Sequence, residues 1–259
     1  MNIAISMFGA KDSTSINTAY LEYMSAAGLN PIIVTKYNNF DEIVNMCDGL
    51  LLPGGVDLEP TFYDEDNIAS SGCSPEKDNF ERTLMGLFIG QHKKIFGICR
   101  GFQLIVREFL RIFEKHSLHH SFYQHVNDHN LVNSRGVARN VPTHSVKANV
   151  KLLYGVNADN QAIYVNSIHH QALVCLDAQH ININVDADNK LRALAITNFS
   201  TPKIGVKESI IIEAVDVLLG GVELRGVQWH PEELMDVALL QTFFLGKKVA
   251  VGNANGTGN

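Results

Sequence analysis

Lys94-Ile95-Phe96-Gly97-Ile98-Cys99-Arg100-Gly101 reads as a strand that runs into a cysteine and turns at once into a helix. The apolar run delivers Cys99 between two glycines, and an amphipathic stretch follows. This is the pattern of a nucleophile elbow, a strained strand-to-helix turn whose neighbours must lack a bulky Cβ and which leaves the central side chain above the sheet. The free amides and positive dipole end of the helix behind it favour thiolate over thiol, and the amide of Arg100 can point at a developing oxyanion. A second stretch, Gly226-Val227-Gln228-Trp229-His230-Pro231-Glu232, supplies a partner. A strand over 224–229 ends in His230, and Glu232 stands two residues on to orient the imidazole. The chain therefore carries a nucleophile, a base and an orienting carboxylate in the order Cys99, His230, Glu232.

Working outward, the first half alternates short β-rich runs with helical periodicity. Strands are predicted over 2–6, 31–35, 49–52 and 94–98. Helices are predicted over 13–27, with Ser13 or Thr14 as cap and Gly28 as stop, over 40–47, over 76–91, and from 102 to about 115. That alternation implies an α/β fold, a single doubly wound and mainly parallel sheet with flanking helices. In such sheets ligands bind at the carboxyl ends of the strands, where Gly54-Gly55 and Cys99 both fall. The second half is richer in β-structure, with strands expected over 162–165, 181–185, 191–197, 209–217 and 223–229. A hairpin turn is expected in 217–222, and a closing helix over 232–245 with Gly246 as its stop. One domain over 1–246 is the expectation; 247–259 has nothing to bury and is predicted to be disordered.

A chain of 259 residues that is 46% hydrophobic can bury a large core. Its net charge of −6, without a block of like charges, argues against a nucleic-acid groove or a basic membrane patch and favours a small-molecule substrate. The strand-like start lacks the basic flank and long apolar core of a secretion signal, and no later run approaches the ~20 apolar residues of a membrane span, so a cytoplasmic protein is expected. Cys47, Cys73, Cys99 and Cys175 show no close metal-type pairing, and the chemistry requires a reduced thiol at Cys99. The histidines His116, His119, His120, His125 and His129 are dense enough to suggest metal. No cysteine or paired acidic frame fixes a geometry for them, and they read as a solvent-facing loop. Neither a metal nor an organic cofactor is assigned.

Each feature also has a plainer reading. A cysteine in an apolar run is usually a small buried hydrophobe, a histidine after a strand is often structural, and Gly54-Gly55 is often only a turn. The combination of Gly97, Gly101, His230 and Glu232 overrides those readings for Cys99.

Five blocks in order resemble the class I glutamine amidotransferases, and within them the branch containing γ-glutamyl-γ-aminobutyrate hydrolases: Leu51-Leu52-Pro53-Gly54-Gly55-Val56-Asp57, Asp78-Asn79-Phe80-Glu81, Gly97 to Gln103, Asn166-Ser167-Ile168-His169-His170-Gln171, and Gly226 to Glu232. The resemblance implies the flavodoxin-like fold of that family and attack by Cys99 on a γ-glutamyl amide, with a thioester intermediate and the amides of Gly55 and Arg100 as oxyanion donors. It also implies that Gln103 contacts the glutamyl moiety and that the segment with Ser167, Ile168 and His169 approaches its α-amino and α-carboxylate groups, partly through backbone atoms. Asp57 and Glu81 match positions near the mouth of the site. Leu110-Arg111 stands where family members usually have a Gly-Gly turn, so the helix behind the nucleophile is expected to run on. Three readings stay open: a stand-alone hydrolase of γ-glutamyl amides, a glutaminase subunit passing ammonia to a separate synthase, and a non-catalytic binding relative. A homodimer would be unsurprising.

Overall fold

In the computed structural model, residues 1–8, 15–113, 120–126, 129–130, 135–158, 160–199 and 209–248 are described. Strands β1 (Asn2–Ser6), β2 (Asn30–Val34), β3 (Gly49–Leu52) and β4 (Lys94–Ile98) lie parallel in the order β2-β1-β3-β4, and β12 (Val222–Val227) joins β4, also parallel. Beyond β12 the sheet turns antiparallel through β11 (Ser209–Leu219), β10 (Lys190–Phe199), β6 (His144–Asn149) and β7 (Asn160–Val165). A branch from β11 carries β8 (Ala172–Cys175) and then β5 (His120–Tyr123), while β9 (Ile183–Asn184) pairs with β10. The doubly wound, mostly parallel first half and the β-rich second half agree with the sequence reading.

Alternation along the strands divides the core into two layers. On one face Leu50, Leu52 and Ile95 pack with α2 (Phe40–Met46), α3 (Pro75–Gly90) and α4 (Arg100–Phe113) through Val44, Leu84, Phe88, Phe102 and Phe109. On the other, Ile3, Ile5, Leu51 and Phe96 pack with α1 (Thr18–Ala26) and α7 (Val237–Leu245) through Tyr23, Met24, Leu240 and Phe243. Parallel strands covered on both faces are apolar throughout, which is why β3 reads Gly-Leu-Leu-Leu.

Several boundaries differ from expectation. Helix α1 starts at Thr18, capped by Asn17, whose side chain accepts from the Ala19 amide; Ser13 and Thr14 lie outside the described residues. The closing helix is two, α6 (Pro231–Leu234) and α7, separated by Met235 in the left-handed region at φ 52°. The break is held by tertiary contacts: the Tyr23 hydroxyl donates to the Asp236 carbonyl at 2.9 Å and the Tyr154 hydroxyl to the Asp236 carboxylate at 2.8 Å. Tyr154 ends a short helix, α5 (Val150–Tyr154), that was not foreseen. The strand expected over 181–185 shrinks to β9 behind a 3₁₀ turn (Ala178–His180) capped by Asp177. Strands β5, β6 and β8 were missed because their pairings are long-range. Helix α4 does run through Leu110-Arg111, to Phe113. The predicted tail lies, from residue 249 on, outside the described residues. Among the described residues no helix is long and apolar enough to cross a membrane.

Candidate active site

Pairing of β12 with β4 is what brings the two decisive stretches together. Gly226 lies opposite Gly97 and Val227 opposite Ile98, so the parallel strands end side by side and Cys99 and His230 emerge from neighbouring carboxyl ends. Cys99 has φ 51°, a left-handed conformation that a residue with a Cβ rarely adopts, and its amide donates to the Val227 carbonyl at 2.8 Å. The elbow is sterically closed around it. A Cβ on Gly101 would stand 2.2 Å from the Leu52 carbonyl oxygen, and one on Gly97 would stand 2.5 Å from the backbone of Gly101.

His230 and Glu232 are both buried, and the imidazole Nδ1 lies 2.6 Å from Glu232 Oε1. A carboxylate only accepts, so Nδ1 carries the proton and Nε2 is left for the thiol side. Burial acts to lower the His230 pKa, but the negative charge of Glu232 and that of a Cys99 thiolate outweigh it and raise the value to about 10. An imidazolium at neutral pH next to a thiolate is the activated state of a cysteine nucleophile.

Asn166 clamps the histidine from both sides. Its Oδ1 accepts from the His230 amide at 2.9 Å, and its Nδ2 donates to the His230 carbonyl at 3.1 Å and to the Arg139 carbonyl at 2.8 Å. Beneath the nucleophile, the Gln228 side-chain amide reaches Cys99 Sγ at 3.5 Å while its oxygen accepts from Gln103 Nε2 at 3.1 Å. The Tyr20 hydroxyl accepts from the Gly54 amide at 3.0 Å. Burial, together with the charges of Glu232 and Cys99, pushes the Tyr20 pKa well up, so the phenol keeps its proton. The amides of Gly55 and Arg100 donate to no acceptor among the described residues, which leaves both available to an oxyanion.

The Arg100 side chain turns away from this chemistry. Its guanidinium is fully buried and pairs with Asp78 and Glu81 on α3; Ser6 Oγ donates to Glu81 at 2.8 Å, and Lys77 Nζ stands 3.7 Å from it. Glu81 thus anchors the elbow helix to α3. Asp57 instead accepts from the Ser71 amide at 2.7 Å and lies 2.8 Å from His170 Nε2.

Cys99 and His230 open into a cleft of about 640 Å³ lined also by Tyr20, Gly55, Lys77 and Arg139. Of the residues expected to hold substrate, only Ile168 lines it. Gln103 is buried and donates to the Gln171 carbonyl and Gln228; Ser167 Oγ donates to the His129 carbonyl at 2.5 Å; His169 is buried with Nδ1 3.0 Å from the Gln171 carbonyl. These three face inward and support the segment that carries Asn166. The reading also missed Tyr20, Lys77, Arg139 and Gln228. Gln228, inside a quoted motif, had a signal: an amide within a buried apolar strand. The others come from α1, α3 and a connecting segment and have none. The histidines are not one solvent-facing loop: His120 is buried on β5 and the His129 ring packs 5.2 Å from His144. Pairing of β5 with β8 removes His120 from solvent; His116 and His119 lie outside the described residues.

Comparison with known proteins gives the family and the fold. The chain is 28% identical over 226 residues to YvdE of Lactococcus lactis subsp. lactis (strain IL1403), described as glutamine amidotransferase-like, covering 86% of this chain and 80% of that protein. It is 25% identical over 240 residues to the γ-glutamyl-γ-aminobutyrate hydrolase of Escherichia coli O157:H7, covering 90% and 84%. The glutaminase domain of Trypanosoma brucei CTPS, solved with acivicin bound, has the same fold, with a TM-score of 0.55 over 96% of this chain and 95% of that one at 14% identity. The peptidase C26 family matches residues 2–232, and the chain belongs to that family of class I glutamine amidotransferase-like proteins.

Proposed function

We propose that the protein hydrolyses γ-glutamyl amides through the triad Cys99, His230 and Glu232. The observation that carries this reading is the left-handed Cys99 at the end of β4, beside a His230 held protonated by Glu232, both opening into one cleft. The thiolate attacks the side-chain carbonyl carbon, and the electron pair of the C=O moves to oxygen, where the amides of Gly55 and Arg100 donate to it. His230 gives its Nε2 proton to the amide nitrogen as the C–N bond breaks, because an amine cannot leave as its anion. The γ-glutamyl thioester that remains is cleaved by water, with the now neutral His230 taking the water's proton, and collapse releases glutamate and restores the thiolate. A reduced thiol is needed throughout, consistent with a reducing compartment.

Lys77, on the Gly55 side of the cleft, and Arg139, beside His230, give it cationic groups at two places. That distribution suits a substrate with a carboxylate on the glutamyl part and a second carboxylate on the amine that leaves. Its similarity to a γ-glutamyl-γ-aminobutyrate hydrolase makes a γ-glutamyl amine the first candidate. Glutamate release should be measured with glutamine and a panel of γ-glutamyl amines, γ-glutamyl-γ-aminobutyrate among them, with Cys99→Ala as blank. Turnover of one amine well above glutamine supports a stand-alone hydrolase. Turnover of glutamine alone, or only after a synthase is added, assigns the protein instead to ammonia delivery. Turnover unchanged in Cys99→Ala overturns the triad.

A further inference from the structure

Behind the catalytic histidine lies a second cluster that the triad does not use. Glu213 on β11 is fully buried, and among the described residues its carboxylate pairs with imidazoles. Around it stand imidazoles from three separate parts of the chain. His144 Nε2 lies 3.3 Å and His129 Nε2 3.9 Å from Glu213 Oε1, and the three ligand atoms lie within 4.8 Å of one another. The His169 ring packs 5.3 Å from that of His129.

The donor chemistry is that of a metal centre. His169 Nδ1 faces the Gln171 carbonyl, which only accepts, so the proton is on Nδ1 and the lone pair on Nε2. That Nε2 is buried without a hydrogen-bond partner. A metal-binding histidine is typically held in just this way, its other nitrogen donating to a carbonyl. A carboxylate buried among imidazoles is costly unless a positive charge is shared with it.

We propose that His129, His144 and Glu213 bind a divalent cation of the zinc type, with His169 packed against His129 beside the site. Nitrogen and carboxylate ligands about 2.0–2.2 Å from a tetrahedral zinc stand about 3.3 Å apart, so the His144–Glu213 spacing already fits and His129 needs only a small approach. Glu213 is fully buried and the His129 and His144 side chains are mostly so, which keeps the ion largely away from solvent. The site ties His129, whose carbonyl accepts from Ser167 Oγ and the His169 amide, to β6 and β11, and Asn166, next to Ser167, holds the backbone of His230. A cation here therefore positions the base without touching substrate.

Metal content of the untagged protein, zinc affinity in competition with a chromophoric chelator, and the absorption of the cobalt(II) form test this, with Cys99→Ala run in parallel because a thiolate beside His230 could itself take the ion. Expected are one zinc per chain, cobalt bands of a tetrahedral N/O site without sulfur charge transfer, binding retained in Cys99→Ala and lost by at least about 100-fold in Glu213→Gln and His144→Ala. Zinc should also raise the melting temperature of the wild type but not of Glu213→Gln. The proposal fails if folded wild-type protein takes up no stoichiometric zinc, or if binding survives Glu213→Gln and disappears with Cys99. Should Glu213→Gln not fold, the cobalt spectra of the wild type and Cys99→Ala decide alone, since sulfur charge transfer or the absence of tetrahedral bands refutes the site.

Discussion

Replacing Cys99 by alanine removes a small sulfur that touches the Gln228 amide and interacts with His230, and relieves little of the packing around it. Cys99→Ala is therefore expected to abolish γ-glutamyl amide turnover while its melting temperature stays within a few degrees of the wild type. His230→Asn removes both the base and the leaving-group acid and should lower turnover by at least about 10³-fold. The protonation of His230 provides a separate check. Its pKa is raised to about 10 against burial by Glu232 and Cys99, with the neutral phenol of Tyr20 nearby. Because the folded value exceeds the unfolded one, the stability it contributes is fully present below about pH 6.5 and is lost as pH rises toward 10. In Cys99→Ala one of the two negative partners is gone, so the His230 imidazole, followed by NMR, should titrate at a lower pH than in the wild type. An unchanged titration would mean that Glu232 alone holds the proton and that Cys99 is not a thiolate in the resting enzyme.

Elements meet at the elbow with almost no clearance, and steric closure there can be tested apart from chemistry. Gly101→Ala places a methyl against the backbone of β3, which cannot swing aside as a side chain can. Destabilisation by about 3 kcal/mol or more is expected, read as a lowered denaturant midpoint with an unchanged slope. The anchor between α3 and α4 is electrostatic. Arg100→Met leaves Asp78 and Glu81 buried without their guanidinium and should cost about 3–5 kcal/mol, although the Arg100 amide, the only part of the residue placed in the reaction, is unchanged. Asn166→Ala acts on neither packing nor charge. It frees the His230 backbone on both sides, so it should lower kcat by about 10-fold or more with a smaller effect on KM, because Asn166 does not line the cleft. The split of the closing helix at Met235 belongs to this scale as well: periodicity runs unbroken through 232–245, and the hydroxyls of Tyr23 and Tyr154 on other helices, with the Asp236 amide donating to the Pro231 carbonyl, hold the interruption.

Across the whole molecule none of the four cysteines is in a disulfide, and Cys99 is the one that lines the cleft beside His230. Cys47 and Cys73 have their pKa raised, chiefly by burial, and Cys175 is packed in the core. Limited iodoacetamide treatment at neutral pH should label Cys99 first, and peptide mapping should find the other three largely unmodified; equal labelling of Cys73 would contradict an activated thiolate at Cys99. What was legible in the sequence follows from physics that acts over short stretches. Strand and helix periods, the small neighbours that an elbow demands, and a histidine two residues from its carboxylate are all local, so β1 to β4, α2 to α4 and the Cys99, His230, Glu232 order could be read directly. Tertiary pairing decided the rest. The register of β12 on β4 sets the base beside the nucleophile, the long-range pairs of β5, β6 and β8 draw His120, His129, His144 and Glu213 inward, and the burial of Gln103 and His169 turns expected substrate contacts into supports. A side chain's chemistry is written in its own residue, but whether it faces a cleft, a carboxylate or another imidazole depends on which distant strand pairs beside it, and no local pattern encodes that.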